Sequence, residues 1–579
     1  MNRMRMLKWL GLFILCAALV AVVGFEAAKQ FSRSSAKAVL EDDSVLQQTG
    51  SAAGNGGTSA ESATQEGENE APDAAITSGG KAAVQATYGA EDREAAWNAA
   101  QATSIQLNGT GATVEGTGAS VNGGVVTISS PGVYSVRGKL ANGQLVVDVQ
   151  EEGTVRLILN GAEIHNESSA PIYIKQAKLT VVTLQEGTTN LVSDGKTYLF
   201  PDPSTDEPNA VIFSEDDLTI NGSGSLTVKG NYNNGIGSKD KLKITAGQIE
   251  IEAADDGLLG RDLVAVLSGQ LNIKAGGDGI KATNDTDAGQ GNISIDGGEI
   301  AIEAKTDGIQ ATSSIAINGG TIRLASAKDA IKADVAIAFR DGQTDIAESY
   351  EGIESPSITI SGGEVRVVSS DDGVNIAAAG GEGGQPVSES GNKLVISGGA
   401  LSIVSGGDGL DSNGSIDMSG GTVVVHGPTA NNNGALDYDG TFQMTGGLLV
   451  ATGSSGMARA TSESSTQHGM FMTYPQSQPA GQLVHLKDGE GSELVTFAPA
   501  KDYQTLLISS PSLNNTGSYT LYSGGSSTGS IWNGLYSGGE YKDGTEAVEF
   551  GISNVITWLN ESGVTTQPSG GRGQRPRGG

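Results

Sequence analysis

The chain has one cysteine, Cys16, so no internal disulfide staples it and cysteine usage does not assign a redox compartment. Basic residues are also scarce: 35 Lys and Arg against 66 Asp and Glu leave a formal net charge of −31. A chain so acidic offers no phosphate-neutralising surface, which excludes nucleic acid as a partner and favours cations or cation-bridged ligands. Aromatic residues make up only 5%, so platforms for stacking a ligand are few. Prolines number 15, and the 86 glycines follow no collagen triplet. Between Ala210 and Ala451 no segment carries the helical apolar face that a leucine-rich or α/β repeat requires.

What the chain does have is a period. An acidic or amide residue returns about every 22 positions, usually before glycine and an aliphatic residue: Asn234, Asp256, Asp278, Asp307, Asp329, Glu351, Asp372, Asp408. The two longer intervals hold polar, Gly-rich insertions at Asn284 to Gly291 and Ala377 to Gly391. A glycine column keeps step with it: Gly247, Gly269, Gly298, Gly320, Gly342, Gly363, Gly399, Gly421, Gly447. Two markers in one phase mean a structural repeat, and so short a period means a solenoid.

Within each unit apolar residues alternate, as in Glu299-Ile300-Ala301-Ile302-Glu303, between Gly and Asp-Gly punctuation. Such runs read as short strands between tight turns. Three strands and three turns fit one period, so the expected fold is all-β: a parallel β-helix of about 22 residues per rung with N-terminal and C-terminal β caps. The aliphatic column Ile280, Ile309, Ile331, Ile353, Val374 and Leu410 is its core. Leu483 to Tyr522 reads as β without the repeat phase and is expected to cap the open edge.

Arg3, Arg5 and Lys8 precede an apolar run from Trp9 to Phe25, the order of a signal sequence or an N-terminal membrane anchor over residues 1–31. The protein is therefore expected outside the cell or on its surface, anchored or released by cleavage. Residues 32–90 are rich in Ala, Gly, Ser and Glu and bury too little to offset ordering entropy, which makes them a linker. The folded part is expected over 91–525. Residues 526–579 follow no readable pattern and end in a basic Gly-rich tail.

The segment from Trp97 to Tyr522 resembles bacterial extracellular carbohydrate-binding domain-containing proteins. The resemblance rests on Val155-Arg156-Leu157-Ile158-Leu159-Asn160-Gly161-Ala162-Glu163-Ile164, Leu184-Gln185-Glu186-Gly187-Thr188-Thr189-Asn190, Ser214-Glu215-Asp216-Asp217-Leu218-Thr219-Ile220-Asn221-Gly222 and Gly230-Asn231-Tyr232-Asn233-Asn234-Gly235-Ile236-Gly237. It implies a right-handed parallel β-helix, similar to pectate lyases in architecture, that binds calcium and acidic or cellulosic polysaccharide. It implies binding and brings no catalytic motif, so no catalytic residue is assigned.

The acid column carries its own chemistry. Equivalent residues of stacked strands stand about 4.8 Å apart, where two carboxylates repel by roughly 3–4 kcal/mol at an effective dielectric near 20. Ca2+ relieves this because it takes six to eight oxygen ligands in tolerant geometry. Three positions after each acid runs a second column, Lys281, Gln310, Lys332, Glu354, Asn375, Asp411 and Asp437. Lysines neutralise its first half. Its second half gathers Asp371, Asp372, Asn375, Asp408, Asp411, Asn413, Asp437 and Asp439 with only His426 as a nearby base, which makes these eight the leading calcium ligands. Asp255, Asp256 and Asp278 come next. A repeated Asp-Gly is also a plain turn signal, Asp capping local N–H groups and Gly accepting positive φ.

For a sugar ligand the candidates are Tyr232 and Tyr350 as platforms, with Lys281, Lys332 and Arg261 to pair with uronate carboxylates. Tyr198 and Phe200 are the other aromatics in turns. The expected function is calcium-dependent binding of a polyuronate or cellulose-like polysaccharide by a monomeric surface protein. The alternatives are a calcium-dependent lyase, with Lys281 or Lys332 as base, and an adhesin or wall-organising protein without a sugar site.

Overall fold

The computed structural model describes residues 85–200, 202, 204–377 and 392–567. The expected signal or anchor at 1–31 with Cys16, the linker up to residue 84, most of the insertion before Gly391 and the basic tail lie outside the described residues. Among the described residues no helix is long and apolar enough to cross a membrane.

Those residues are all-β, with one helical turn at Ala90–Arg93. A typical repeat supplies three strands, Gln248–Ala253, Leu258–Gly260 and Leu263–Val266. The next supplies Gln270–Ala275, Ile280–Ala282 and Asn292–Ile295. Equivalent strands pair in parallel: Gln248 lies opposite Gln270, Leu258 opposite Ile280 and Leu263 opposite Asn292. The second strands build a 14-stranded sheet in unbroken chain order, antiparallel only at its first pair, Ala119–Asn122 with Val125–Ile128. The first and third ladders belong to one 28-stranded sheet, joined where Ser415–His426 and Phe442–Gly453 run through both.

Alternation decides what is inside. In Gln248–Ala253 the isoleucines are buried while Glu250 and Glu252 are exposed, and the column Leu258, Ile280, Ile309, Ile331, Ile353, Val374, Leu410 is buried at 0% throughout. Each such side chain contributes about 1.5–3 kcal/mol on leaving water. The stacking also explains the glycine column, whose φ runs from 71° to 120°. At Gly342, φ is +88° and an added Cβ would stand 2.6 Å from the Gly320 carbonyl oxygen of the preceding repeat. Gly342→Ala should therefore lower unfolding stability by about 1–3 kcal/mol, seen as an earlier midpoint in urea.

The glycine after each acid works differently from the turn-signal expectation. Gly257, Gly279, Gly308, Gly373 and Gly409 lie outside the left-handed region, and a Cβ on Gly257 would meet Ile273 Cγ2 at 2.3 Å and the Gly279 carbonyl at 2.6 Å. Close approach of neighbouring repeats, not positive φ, selects glycine there.

Both ends of the parallel array are covered. Thr103–Gly109 pairs with Ala112–Glu115 in antiparallel fashion, and Phe442–Gly453 is met by antiparallel Tyr503–Ser509. Beyond it a second core, including Val484, Leu486, Phe497, Tyr519 and Phe550, fills a C-terminal unit. Residues after 525 are part of it: Thr545–Gly551 pairs with Ser518–Ser523, and Ile556–Asn560 runs beside Gly469–Gln478.

Candidate functional site

The three-residue strands of the 14-stranded sheet bury their outer two residues and turn the middle one outward. The outward column reads Leu259, Lys281, Gln310, Lys332, Glu354, Asn375, Asp411, Asp437 in continuous register. The acids stand just before the strands, and at every position of the file except Asp329 and Glu351 one side-chain oxygen accepts a backbone N–H. Asn234 Oδ1 accepts the Asp256 N–H at 3.1 Å, Asp256 Oδ1 that of Asp278 at 2.8 Å, Asp278 Oδ1 that of Asp307 at 2.9 Å and Asp307 Oδ1 that of Asp329 at 3.1 Å. Asp372 Oδ1 accepts the Asp408 N–H at 2.6 Å, and Asp408 Oδ1 accepts that of Gly434. Along most of the file Oδ1 thus satisfies the next repeat, and at Asp256, Asp278 and Asp329 Oδ2 meets a lysine of the outward column.

Two lysines answer part of this charge. Lys281 Nζ lies 3.4 Å from Asp256 Oδ2 and 2.7 Å from Asp278 Oδ2, so an ammonium already stands between two expected calcium ligands. Burial works against the Asp278 anion, yet Lys281, the Thr306 hydroxyl and the Asp307 N–H hold its pKa below the ordinary value. Asp255 beside them is exposed. Lys332 Nζ lies 2.8 Å from Asp329 Oδ2 and 3.1 Å from Glu354 Oε1. Burial disfavours both ammonium ions, but the carboxylates outweigh it and raise both lysines above their usual pKa. A general base must be neutral to accept a proton, so this environment opposes the role the lyase alternative gives them. Lys332→Met should destabilise the protein by about 1–3 kcal/mol at pH 8, since it strips partly buried carboxylates of their counter-charge; thermal unfolding checks it.

Two groups of acids remain crowded. Carboxylate oxygens of Asp372, Asp408 and Asp411 lie within 4.8 Å of one another, as do those of Asp329, Glu351 and Glu354. Burial and then the charges of Asp372, Asp408, Asp437 and Asp439 push Asp411 up to about 7. Burial, opposed by the Asp408 N–H, and the acids around it push Asp372 up to about 6, and burial followed by Asp329 and Asp278 does the same for Asp307. Glu351 rises to about 8 through burial and Glu354, although Asn375 donates to its Oε2 at 2.9 Å. Among the described residues Asp411 accepts no side-chain hydrogen bond, and the buried Oδ1 of Asn375, its register neighbour, has no partner. At Gly407 a Cβ would stand 2.4 Å from Oδ1 of both Asp371 and Asp372; glycine there makes room for the carboxylates.

Of the eight leading calcium ligands, the structure gathers Asp372, Asp408 and Asp411, with Asn375 and Asp437 flanking Asp411 in register. Asp371 stands at the adjoining corner, and Asn413 and Asp439 are exposed past the strand ends. The expected neighbourhood of His426 is corrected. Its ring stacks on Phe497 in the C-terminal unit at 5.1 Å, with Nε2 at 3.0 Å from the Asn533 carbonyl. The base beside the acids is Arg459, paired with Asp437, which sequence reasoning missed because it lies where the 22-residue phase ends. Glu351 and Glu354 were visible in their columns but passed over, Lys332 appearing to neutralise them.

Of the sugar candidates, Tyr350 is 51% exposed and stands next to Glu351, with the Asp371 carboxylate beside it raising its phenol pKa. Tyr232 is half-buried and stacked on Tyr198 with ring centroids 4.2 Å apart, and Phe200 packs on the same cluster. These three rings hold the long turn between Asp194 and Ala210. Arg261 is paired with Asp262 and with Asp287 of the insertion, at 3.1 and 2.9 Å.

This geometry defines an all-β protein with long parallel arrays that carry a file of carboxylates on one outer face. Residues 122–392 match the family of carbohydrate-binding domain-containing proteins. That segment takes in the file from Asn234 to Asp372 and ends before Asp408. A carbohydrate-binding domain-containing protein of Acetivibrio thermocellus is 46% identical over 128 residues, 22% of this chain, and the chain spans 45% of that relative's length. A solved structure, the polysaccharide lyase-like protein from C. thermocellum as a gadolinium derivative, is 38% identical over 41% of this chain and 96% of its own, with a TM-score of 0.41.

Proposed function

We propose that this is an extracellular, monomeric protein that binds an anionic polysaccharide through calcium, its three ladders winding as a right-handed parallel β-helix behind an N-terminal anchor or cleaved signal. The observation that carries this reading is the crowding of Asp372, Asp408 and Asp411 within 4.8 Å. Every charge named as acting on Asp411 is negative. A divalent hard cation is the counter-charge such an oxygen set fits. Asn375 Oδ1, without a partner among the described residues, offers it a further neutral oxygen. The acids face outward and leave the cation room to accept carboxylates from a polyuronate as well. Tyr350, the aromatic side chain most exposed among the described residues, would stack on a sugar ring two repeats away.

Polygalacturonate retention by the full chain, in calcium and again after EGTA, with ultraviolet absorbance followed in the same tube, tests this. Retention that requires calcium, with flat absorbance, is the expected result. Rising absorbance from unsaturated ends would replace binding with lyase activity, and no retention in calcium would leave the adhesin reading.

A further inference from the structure

A second site lies far from the acid file, at the start of the fold. The segment from Ala86 to Trp97 is strapped over the outer face of the third ladder. Asp92 Oδ1 accepts the Thr219 hydroxyl at 2.6 Å, and its Oδ2 pairs with Lys243 at 2.9 Å. Asn221 Nδ2 donates to the carbonyls of Asp92 and Glu94 at 3.0 and 2.9 Å. Beyond Glu94 a cavity of about 750 Å³ opens between this strap and the turn after Leu184, lined by Trp97, Gln185, Asn160, Thr183, Glu186 and Ser223.

We propose that this cavity binds a neutral pyranoside, with Trp97 as its stacking platform. The volume falls within the range of small-ligand sites. The half-buried indole is fixed in place because its Nε1–H donates to Gln185 Oε1 at 2.6 Å. That bond leaves the Gln185 amide nitrogen free to donate. The Asn160 amide makes no hydrogen bond to a described residue, and Ser223 is exposed at the rim. These groups offer both donors and acceptors, as sugar hydroxyls require, while the C–H face of a pyranose suits the negative face of the indole.

The floor supplies an independent pointer. Thr183 is 2% exposed and its hydroxyl has no partner among the described residues. It stands in register with Asn221, which reaches the strap, so Thr183 shares the covered face. A buried hydroxyl left unpaired is costly, and a ligand hydroxyl would satisfy it. No lysine or arginine lines the cavity and Glu186 does, which selects against uronates and separates this site from the calcium-bridged binding proposed above.

The test is titration of the full chain in EGTA with cellohexaose and, separately, mannohexaose, followed by calorimetry and tryptophan emission, with oligogalacturonate as the charged control. Saturable binding of a neutral oligosaccharide is expected, lost in Trp97→Ala. Because that change also frees the strap, Asn160→Ala and Thr183→Val carry the decision. Both should weaken binding by about fivefold or more, the equivalent of one hydrogen bond, and Thr183→Val should do so without lowering the unfolding midpoint. Absence of saturable binding for both neutral probes, or unchanged affinity in Asn160→Ala and Thr183→Val, would overturn the proposal. EGTA makes its outcome independent of calcium-dependent retention on polygalacturonate.

Discussion

Asp411→Asn is expected to divide the effect of calcium from the stability of the fold, in opposite directions. In EGTA at pH 8 the variant should be more stable than the parent by about 1–3 kcal/mol, because it removes one of several like charges at short range while keeping the side-chain shape. Asp411 is the suitable residue for this: its oxygens support no backbone N–H, unlike those of Asp372 and Asp408. With calcium present the order should reverse. Loss of one anionic ligand weakens the site by on the order of 10- to 100-fold, and each tenfold removes about 1.4 kcal/mol of ligand-linked stabilisation once calcium exceeds its dissociation constant. Thermal unfolding of both proteins with and without calcium reads the two effects together. Equal stabilisation of parent and variant by calcium would remove Asp411 from the site.

The acid file was legible because stacked β repeats convert sequence period directly into spatial neighbourhood. Asp256, Asp278, Asp307, Asp329, Glu351, Asp372 and Asp408 recur in phase, and the register pairs that follow them confirm each outward neighbour from Lys281 to Asp437. Which oxygen does what was not legible, since Oδ1 is taken by the N–H of the next repeat only through three-dimensional stacking. The place of Lys281 is a similar case. Its spacing showed that it stood near Asp278, but its 3.4 Å approach to Asp256 depends on how the side chain lies across two repeats.

Where the period stops, the sequence loses its ruler. Arg459 meets Asp437 from beyond the last repeat, and Trp532 of the C-terminal unit donates to Glu364 at 2.6 Å, 168 residues earlier. Neither contact has a spacing signal. Trp97 was likewise passed over as a mere boundary, because nothing in the local pattern says that the strap before it returns to Asn221 and Gln185. Tyr232 failed as a free platform for a plain reason: its partners Tyr198 and Phe200 are close in space through a long turn whose path alternation does not determine.

Without calcium, stability should fall as pH rises from 6.5 to 8.5. The groups responsible are Asp307 and Asp372 at about 6, Asp411 at about 7 and Glu351 at about 8. Each folded-state value is raised above the unfolded one, so the folded protein holds more protons. The stability this confers is full below the unfolded carboxylate range and is lost progressively from there as pH climbs through 6 to 8. Glu351 and Asp411 dominate this window, and the loss should come to about 1–3 kcal/mol after allowance for solvent and mutual coupling. Two groups set the other side. Burial, the larger cause for both, lowers His426 and His485 to about 4, so the stability they allow is present above about 6.5 and declines as pH drops toward 4. Asp278, held below its ordinary value, acts in the same direction but only at still lower pH. The urea midpoint in EGTA should therefore decline from about pH 5 to 8.5, the histidines offsetting part of the loss below about pH 6.5. With calcium occupying the Asp372, Asp408 and Asp411 group, the alkaline decline should flatten, because the cation supplies the charge that protons otherwise provide. A midpoint that rises steadily from pH 6 to 8.5 in EGTA would mean that these carboxylates are solvated and paired well enough to need neither proton nor metal.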